Sequence, residues 1–217
     1  MTRIIGWDIG GANVKAALVE GGVVSEVEKV PCPALPDPSI FDAADEAARS
    51  LFPAAELHAI TMTGELSDVF SDRRQGVAYL IALMQRMAEG VPVLIYSGPA
   101  GLLKPQEALK GPLEVASANW HAAATLLARK FSEALLIDVG TTTTDLLPIK
   151  QRQVSVRGFT DAERLTEGEL IYCGVVRTPV MALAQTVPFR GRMQRIAAER
   201  FATMADVFRL TGDLQED

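Results

Sequence analysis

Two stretches decide the reading of this chain: Asp8-Ile-Gly-Gly-Ala-Asn-Val-Lys15 and Asp138-Val-Gly-Thr-Thr-Thr-Thr-Asp145. Each lies between short apolar runs, Ile4–Trp7 and Ala16–Val19 around the first, Ala134–Ile137 and Leu146–Ile149 around the second. Both predict a strand, a tight glycine turn and a returning strand, with an acid near the end of the first strand. The copies align without gaps at an offset of 130 (138 − 8), which also pairs Gly10 with Gly140 and Ser25 with Ser155. One such turn is an ordinary hairpin signal. Two in register predict an internal duplication whose turns face each other across a cleft.

The residue types indicate a chemistry. Glycine lets backbone N–H groups approach an anion without a Cβ in the way. Gly10, Gly11, Asn13, Gly140, Thr141, Thr142 and Thr143 therefore form the candidate phosphate cradle, with Thr144 adding a further hydroxyl. Lys15 supplies a point positive charge. Carboxylates at Asp8, Asp138 and Asp145 would repel a phosphate unless a cation stands between them. Mg²⁺ is the expected one, since it takes oxygen ligands and bridges carboxylate to phosphate. The plainer alternative is a pair of hairpins with Asp and Gly in their turns.

Composition narrows the class. With 48% hydrophobic and 22% charged residues in 217, the chain has the makings of a globular core and not of a disordered tail. A net charge of −6, with no basic tract, argues against nucleic acid and anionic membrane as partners. No apolar run reaches the roughly 18 residues of a membrane span. Met1-Thr-Arg leading straight into a strand is not a signal peptide, and Cys32 and Cys173 lie far apart without a partner motif. A cytoplasmic protein is expected, with a homodimer allowed.

In chain order, Val23–Val30 predicts a third strand and 31–38 a proline-rich connector. Ser39 caps a helix to about Leu51, and Leu57–Met62 is a buried strand. The loop Thr63-Gly-Glu-Leu-Ser-Asp68 follows that strand, where open α/β sheets place ligands. Next come a helix from about Asp72 to Glu89, a strand at Pro92–Tyr96, a short helix within 102–112, and a helix capped by Ser117 that reaches about Lys130. This order predicts an α/β fold of duplicated ribonuclease-H-like lobes, 1–132 and 133–217. The second lobe carries a strand near Val154–Val156, another at Leu170–Val176, an apolar run at Met181–Val187, and a final helix from about Gln194 to Leu210. Only 84 residues remain from Ala134 (217 − 134 + 1), so this lobe is incomplete against its own first copy.

These two motifs resemble the first and second phosphate motifs of the actin-like superfamily, which includes sugar kinases and heat-shock chaperones. Thr61-Met-Thr-Gly-Glu-Leu-Ser-Asp68, Ser117-Ala-Asn-Trp-His121 and Gly168-Glu-Leu-Ile-Tyr-Cys-Gly-Val-Val-Arg-Thr-Pro179 are more specific. Together they resemble the hydantoinase/oxoprolinase-related branch of tetrahydromethanopterin-linked one-carbon-transfer proteins, whose methanogen members include a methylofuran-biosynthesis synthase. The resemblance implies a condensing transferase that joins an aminomethylfuran-methyl diphosphate to γ-glutamyltyramine and releases pyrophosphate. Its partners would be that diphosphate ester and an amine or phenol. Glu65 or Asp68 would be the base, with Asp8 beside the leaving group, and Asn119, Tyr172 and Arg177 would bind substrate. Ordinary roles for the same residues are a solvated or capping carboxylate at Glu65, a helix cap at Asn119, a core tyrosine at Tyr172 and a salt bridge at Arg177. Trp120 and His121 are expected to pack, and Arg190 and Arg192 to be loop charges. The glycine pair that cradles adenosine in ATP-using relatives is missing from these residues, so ATP is not expected to find a complete site. The rival readings are an ATP-dependent kinase, a hydantoinase/oxoprolinase-like hydrolase, and a non-catalytic nucleotide-binding scaffold.

Overall fold

The computed structural model describes residues 2–11, 13–32, 39, 42 and 55–215. Their contacts fall into two compact units, Met1–Ala123 and Ala124–Asp217. Of the proline-rich connector, 31–38, only Pro31, the last residue of a strand, and Cys32 are described, and of the helix expected from Ser39 to Leu51 only Ser39 and Asp42, both helical.

The first unit is built on a six-stranded sheet. Strands β1 (Arg3–Ile9), β2 (Asn13–Glu20) and β3 (Val23–Pro31) form an antiparallel meander. Strands β4 (Leu57–Met62) and β5 (Val93–Tyr96) add in parallel beyond β1, and the two-residue β6 (Leu102–Leu103) closes the edge. The order β3-β2-β1-β4-β5-β6 is the expected ribonuclease-H-like arrangement with a short extra strand. Alternation along the strands sends Ile5, Trp7, Ile9, Val14, Ala16, Leu18, Ile60 and Met62 to one face.

Helix α1 (Arg73–Met87) covers that face. Asp72 caps it by accepting a 2.8 Å hydrogen bond from the Gln75 amide. Val77, Leu80, Ile81 and Met84 recur at helical spacing and join the strand residues in one buried cluster. Each such side chain stabilises the fold by about 2 kcal/mol. Gly76 lies on the same helix where it meets the Gly64–Leu66 turn. A Cβ there would sit 2.7 Å from the Glu65 Cα and 2.9 Å from its carbonyl oxygen.

The region 102–112 holds the expected short helix, α2 (Pro105–Ala108), preceded by β6 and followed by a second single turn, α3 (Pro112–Val115). Helix α4 (Asn119–Ala128) follows. Ser117 does not cap it: its backbone is left-handed (φ 53°), and its hydroxyl reaches back 52 residues to Glu65.

In the second unit, β7 (Glu133–Val139), β8 (Thr144–Lys150), β9 (Gln153–Val154) and β10 (Leu170–Ile171) form an antiparallel sheet. Helix α5 (Asp161–Glu167) opens with a Thr160/Glu163 capping box. The strand expected over Leu170–Val176 stops at Ile171, and the rest is a loop. After α6 (Val180–Leu183), the expected helix from Gln194 is corrected. Strands β11 (Thr186–Phe189) and β12 (Arg192–Arg195) form a hairpin turned by Arg190 and Gly191, both at positive φ, and the helix, α7, occupies only Met204–Thr211. No helix among the described residues is long and apolar enough to cross a membrane.

The duplication survives in hydrogen bonds. Gly10 N–H donates to the Asn13 carbonyl at 3.0 Å, and Gly140 N–H to the Thr143 carbonyl at 2.8 Å, each pair shifted by the same 130. The next turns match too: Gly21 and Gly22 join β2 to β3 at positive φ, and Gln151 and Arg152 join β8 to β9 the same way.

Replacing Gly76 with alanine is expected to lower unfolding stability by about 2 kcal/mol, because the added methyl meets backbone and not a flexible tip. Gly11→Ala, where a Cβ meets nothing within 4 Å, serves as the control. Denaturant midpoints of the two variants check this.

Candidate functional site

The carboxyl ends of β1, β4 and β5 hold the first unit's candidate residues. Asp8 stands opposite Lys15 in the β1–β2 register, and Lys15 Nζ donates to Asp8 Oδ2 at 3.0 Å. The other carboxylate oxygen, Oδ1, is buried and has no partner among the described residues. In the turn beyond, a Cβ on Gly10 would lie 2.8 Å from the Asn13 carbonyl and 3.5 Å from Thr63 Oγ1. The tight closure therefore requires glycine at this position. Gly11 faces open space.

Next to this, Glu65 sits in the turn after β4 with 1% of its surface exposed. Ser117 Oγ donates to Glu65 Oε1 at 2.8 Å, while Oε2 is buried without a partner. Burial pushes the Glu65 carboxyl above its ordinary value, against the lowering effect of the Ser117 hydrogen bond. Asp68, the alternative base, is exposed on the same loop. Asn119 is the first residue of α4, two residues from Ser117, so the chain brings its helix start to the Glu65 neighbourhood. Ser97 lies just after β5, beside Gly98 and Pro99. It is buried, and its hydroxyl has no partner among the described residues. Asp8 Oδ1, Glu65 Oε2 and Ser97 Oγ thus mark the ends of three neighbouring parallel strands, the edge at which α/β sheets bind ligands.

On the sheet face opposite α1, the smallest residues align in one row, with Gly6 paired to Ala17 on one side and Ala59 on the other. They floor a hollow of about 360 Å³ that Asp8, Lys15 and Thr61 also line. Tyr96 forms part of its wall, and its hydroxyl lies 2.8 Å from His121 Nδ1. Burial holds His121 below its ordinary pKa, and Trp120 packs edge-on against its ring. Both residues pack, as expected.

The second turn carries a different counter-charge. Asp138 lies directly opposite Asp145, where the first copy has an acid opposite a lysine. Facing like charges are unfavourable without a cation. Arg164 of α5 provides one from the protein: its buried guanidinium Nη2 donates to Asp145 Oδ1 at 2.8 Å and to the Glu169 carbonyl at 3.2 Å. Burial nonetheless raises the Asp145 pKa, Arg164 opposing it and Asp138 adding to it.

The 172–178 loop wraps this turn. The amides of Val175, Val176 and Arg177 donate to the carbonyls of Gly140 and Thr141, and Thr144 Oγ1 donates to the Cys173 carbonyl at 2.6 Å. Gly174 permits the contact, since a Cβ would stand 2.6 Å from the Gly140 oxygen. Arg177 is consequently anchored beside Thr141, whereas Tyr172 is exposed at the loop's start. The hydroxyls of Thr141 and Thr142 lie 3.5 Å apart. No three His, Cys, Asp or Glu side chains gather into a metal-holding set among the described residues. The expected set of Asp8, Asp138 and Asp145 is therefore not such a group; within the second unit Asp138 and Asp145 face each other as oxygen donors.

The hydantoinase/oxoprolinase family model matches residues 56–217. The chain belongs to the hydantoinase/oxoprolinase family. Over 99% of its length it is 33% identical to the (4-{4-[2-(gamma-L-glutamylamino)ethyl]phenoxymethyl}furan-2-yl)methanamine synthase of Methanocaldococcus jannaschii, and it spans 63% of that relative. The synthase of the same name from Methanococcus vannielii is 37% identical over 73 residues, 34% of this chain and 32% of the relative. Among solved structures, the ROK hexokinase of Thermus thermophilus is similar at 15% identity, covering 75% of this chain and 52% of the hexokinase, with a TM-score of 0.43.

Two measurements test the electrostatics. The folded pKa of Glu65 is raised, so folding favours its neutral form. Any stability from this group is present below the ordinary carboxylate range and is lost as pH rises through the folded pKa. Glu65→Gln should therefore raise the melting temperature near neutral pH, the gain vanishing as the solution is acidified through the carboxylate range. Arg164→Ala should cost about 3 kcal/mol by stranding a partly buried carboxylate, and adding Asp145→Asn should recover part of the loss. Chemical denaturation of the single and double variants measures it.

Proposed function

We propose that this chain forms the phosphate-gripping part of a condensing synthase of methylofuran-type cofactor biosynthesis. The likeness over 99% of the chain to a synthase so named carries this reading, together with the duplicated glycine turns. The substrates would be an aminomethylfuran-methyl diphosphate and a tyramine-type phenol, in a tetrahydromethanopterin-linked one-carbon pathway of the cytoplasm.

In this reaction the phenol oxygen forms a bond to the furfuryl carbon as the carbon–oxygen bond to the diphosphate breaks. The bonding electrons leave with pyrophosphate, and the phenol proton passes to a base. Each glycine turn, with Lys15 in the first unit and the Thr141–Thr143 hydroxyls in the second, would offer donors to diphosphate oxygens and stabilise the charge that grows on the leaving group. Mg²⁺ on the facing carboxylates of Asp138 and Asp145 would supply further neutralisation of pyrophosphate. Glu65 suits the base: it is fixed by Ser117 through one oxygen, keeps the other without a protein partner, and has a basicity raised by burial. Asp68 is the exposed alternative on the same loop. Asn119, Tyr172 and Arg177 would orient the acceptor, and the hollow floored by Gly6, Ala17 and Ala59 offers apolar room beside the Asp8–Lys15 pair.

Membership of the hydantoinase/oxoprolinase family favours one second reading, a hydrolase or an ATP-dependent relative using the same turns.

Calorimetry with pyrophosphate and ATP, each with and without Mg²⁺, separates these. The synthase reading expects Mg²⁺-dependent pyrophosphate binding, negligible ATP binding, and at least a roughly ten-fold loss of pyrophosphate affinity in Asp8→Asn and Lys15→Ala, worth about 1.4 kcal/mol each. Tighter ATP than pyrophosphate would favour the phosphotransferase. Unchanged binding in both variants would leave the turns without a catalytic role.

A further inference from the structure

The 172–178 loop is tied down on both sides of one arginine. Within the loop, Gly174 N–H donates to Thr178 Oγ1 at 2.8 Å, and Thr178 is only 4% exposed. From outside, the first amides of α7 find their acceptors here: Met204 N–H donates to the Thr178 carbonyl at 2.8 Å and Ala205 N–H to the Val176 carbonyl at 3.3 Å. Toward the turn, the amides of Val176 and Arg177 both donate to the Thr141 carbonyl, at 3.1 and 2.8 Å. Val176 and Thr178 are therefore fixed, and the backbone of Arg177 between them hangs on the first threonine of the glycine turn.

Its side chain is left available. It is exposed, and among the described residues it has no hydrogen-bond or ion-pair partner. Other arginines near this sheet are engaged: Arg164 with Asp145, Arg157 with Glu167 at 3.3 Å, and Arg152 with the Arg129 carbonyl at 2.9 Å. The turn lacks a cation on its ligand side. Asp138 and Asp145 face each other with Arg164 alone to offset them, so the fixed charge is negative and repels a phosphate. Arg164 is committed elsewhere, since its buried guanidinium also holds the Glu169 carbonyl.

We infer that Arg177 binds the phosphoryl oxygens offered to the Thr141–Thr143 turn, and that Thr178 is the positioning residue that keeps it there. Arg177 then serves the diphosphate, and the acceptor is left to Asn119 and Tyr172. A guanidinium suits this task because its planar fork of N–H donors can grip two phosphate oxygens at once. The inference rests on the diphosphate reading of the turns and adds a ligand contact within the second unit.

Calorimetry on the 217-residue chain, with inorganic pyrophosphate plus Mg²⁺ and separately with γ-glutamyltyramine, tests it. Arg177→Ala should weaken pyrophosphate binding by roughly ten-fold or more. Arg177→Lys should recover part of the loss, keeping the charge without the fork. Arg195→Ala removes the same charge from exposed β12 and should leave the affinity unchanged. Thr178→Val should weaken pyrophosphate binding and Thr178→Ser should restore it. In a chain already carrying Arg177→Ala, Thr178→Val should have no further effect, which a general loosening of the fold would not produce. Unchanged pyrophosphate affinity in Arg177→Ala, in a chain that binds pyrophosphate, overturns the inference and leaves the diphosphate reading standing. Loss of γ-glutamyltyramine binding alone also overturns it, making Arg177 a clamp for the acceptor. A parent chain that binds no pyrophosphate removes the reading and the inference together.

Discussion

One short hydrogen bond, made twice, holds the rest in place: a glycine amide donates to the carbonyl three residues further on, at Gly10 and again at Gly140. It closes each turn so tightly that a Cβ would meet the accepting oxygen, at 2.8 Å in the first copy and 3.2 Å in the second. With the turn closed, each acid lands opposite a fixed cross-strand neighbour. Everything charged at the site then answers the question of how that acid is balanced: by Lys15 from across the sheet in one copy, and by Arg164 from beneath in the other.

The hairpins were legible because their signals are local. Glycine between alternating apolar runs, repeated at a constant offset, requires no knowledge of distant residues. Strand β4, strand β5 and helix α1 were legible for the same reason, and Asp72 and Gly90 bracket α1 much as the sequence suggests. The second unit was harder. The apolar spacing from Ile196 to Phe208 imitates a long helix, yet Gly191 at positive φ turns a hairpin whose strand runs to Arg195 and delays helix formation until Met204. The strand expected over Leu170–Val176 gives way to loop after Ile171, because the order there comes from backbone bonds to the Gly140 turn, a tertiary effect with no periodic trace.

At the site, candidate residues were legible by type and their surroundings were not. Glu65 and Asp68 are three apart on one loop, but only Glu65 is buried, because Gly76 lets α1 close over it and Ser117 turns inward to meet it. Ser117 looked like a helix cap, since nothing local distinguishes a serine that bonds an amide nearby from one that bonds a carboxylate 52 residues back. Arg164 carries no local signal that sets it apart from the charges beside it, Asp161, Glu163 and Glu167. Its role depends on Asp145, which lies on another strand, and on the Glu169 carbonyl. Ser97, followed by Gly98 and Pro99, carries only the local signal of a turn after a strand.

The two counter-charges also set how each half meets dissolved ions. The Lys15 side chain is 55% exposed and that of Arg164 only 2%, so mobile counter-ions reach the first pair freely and the second hardly at all. Raising ionic strength loosens Asp8 from its lysine and leaves Asp145 clasped by its arginine. A duplicated hairpin has in this way acquired one half that responds to the medium and one that is insulated from it.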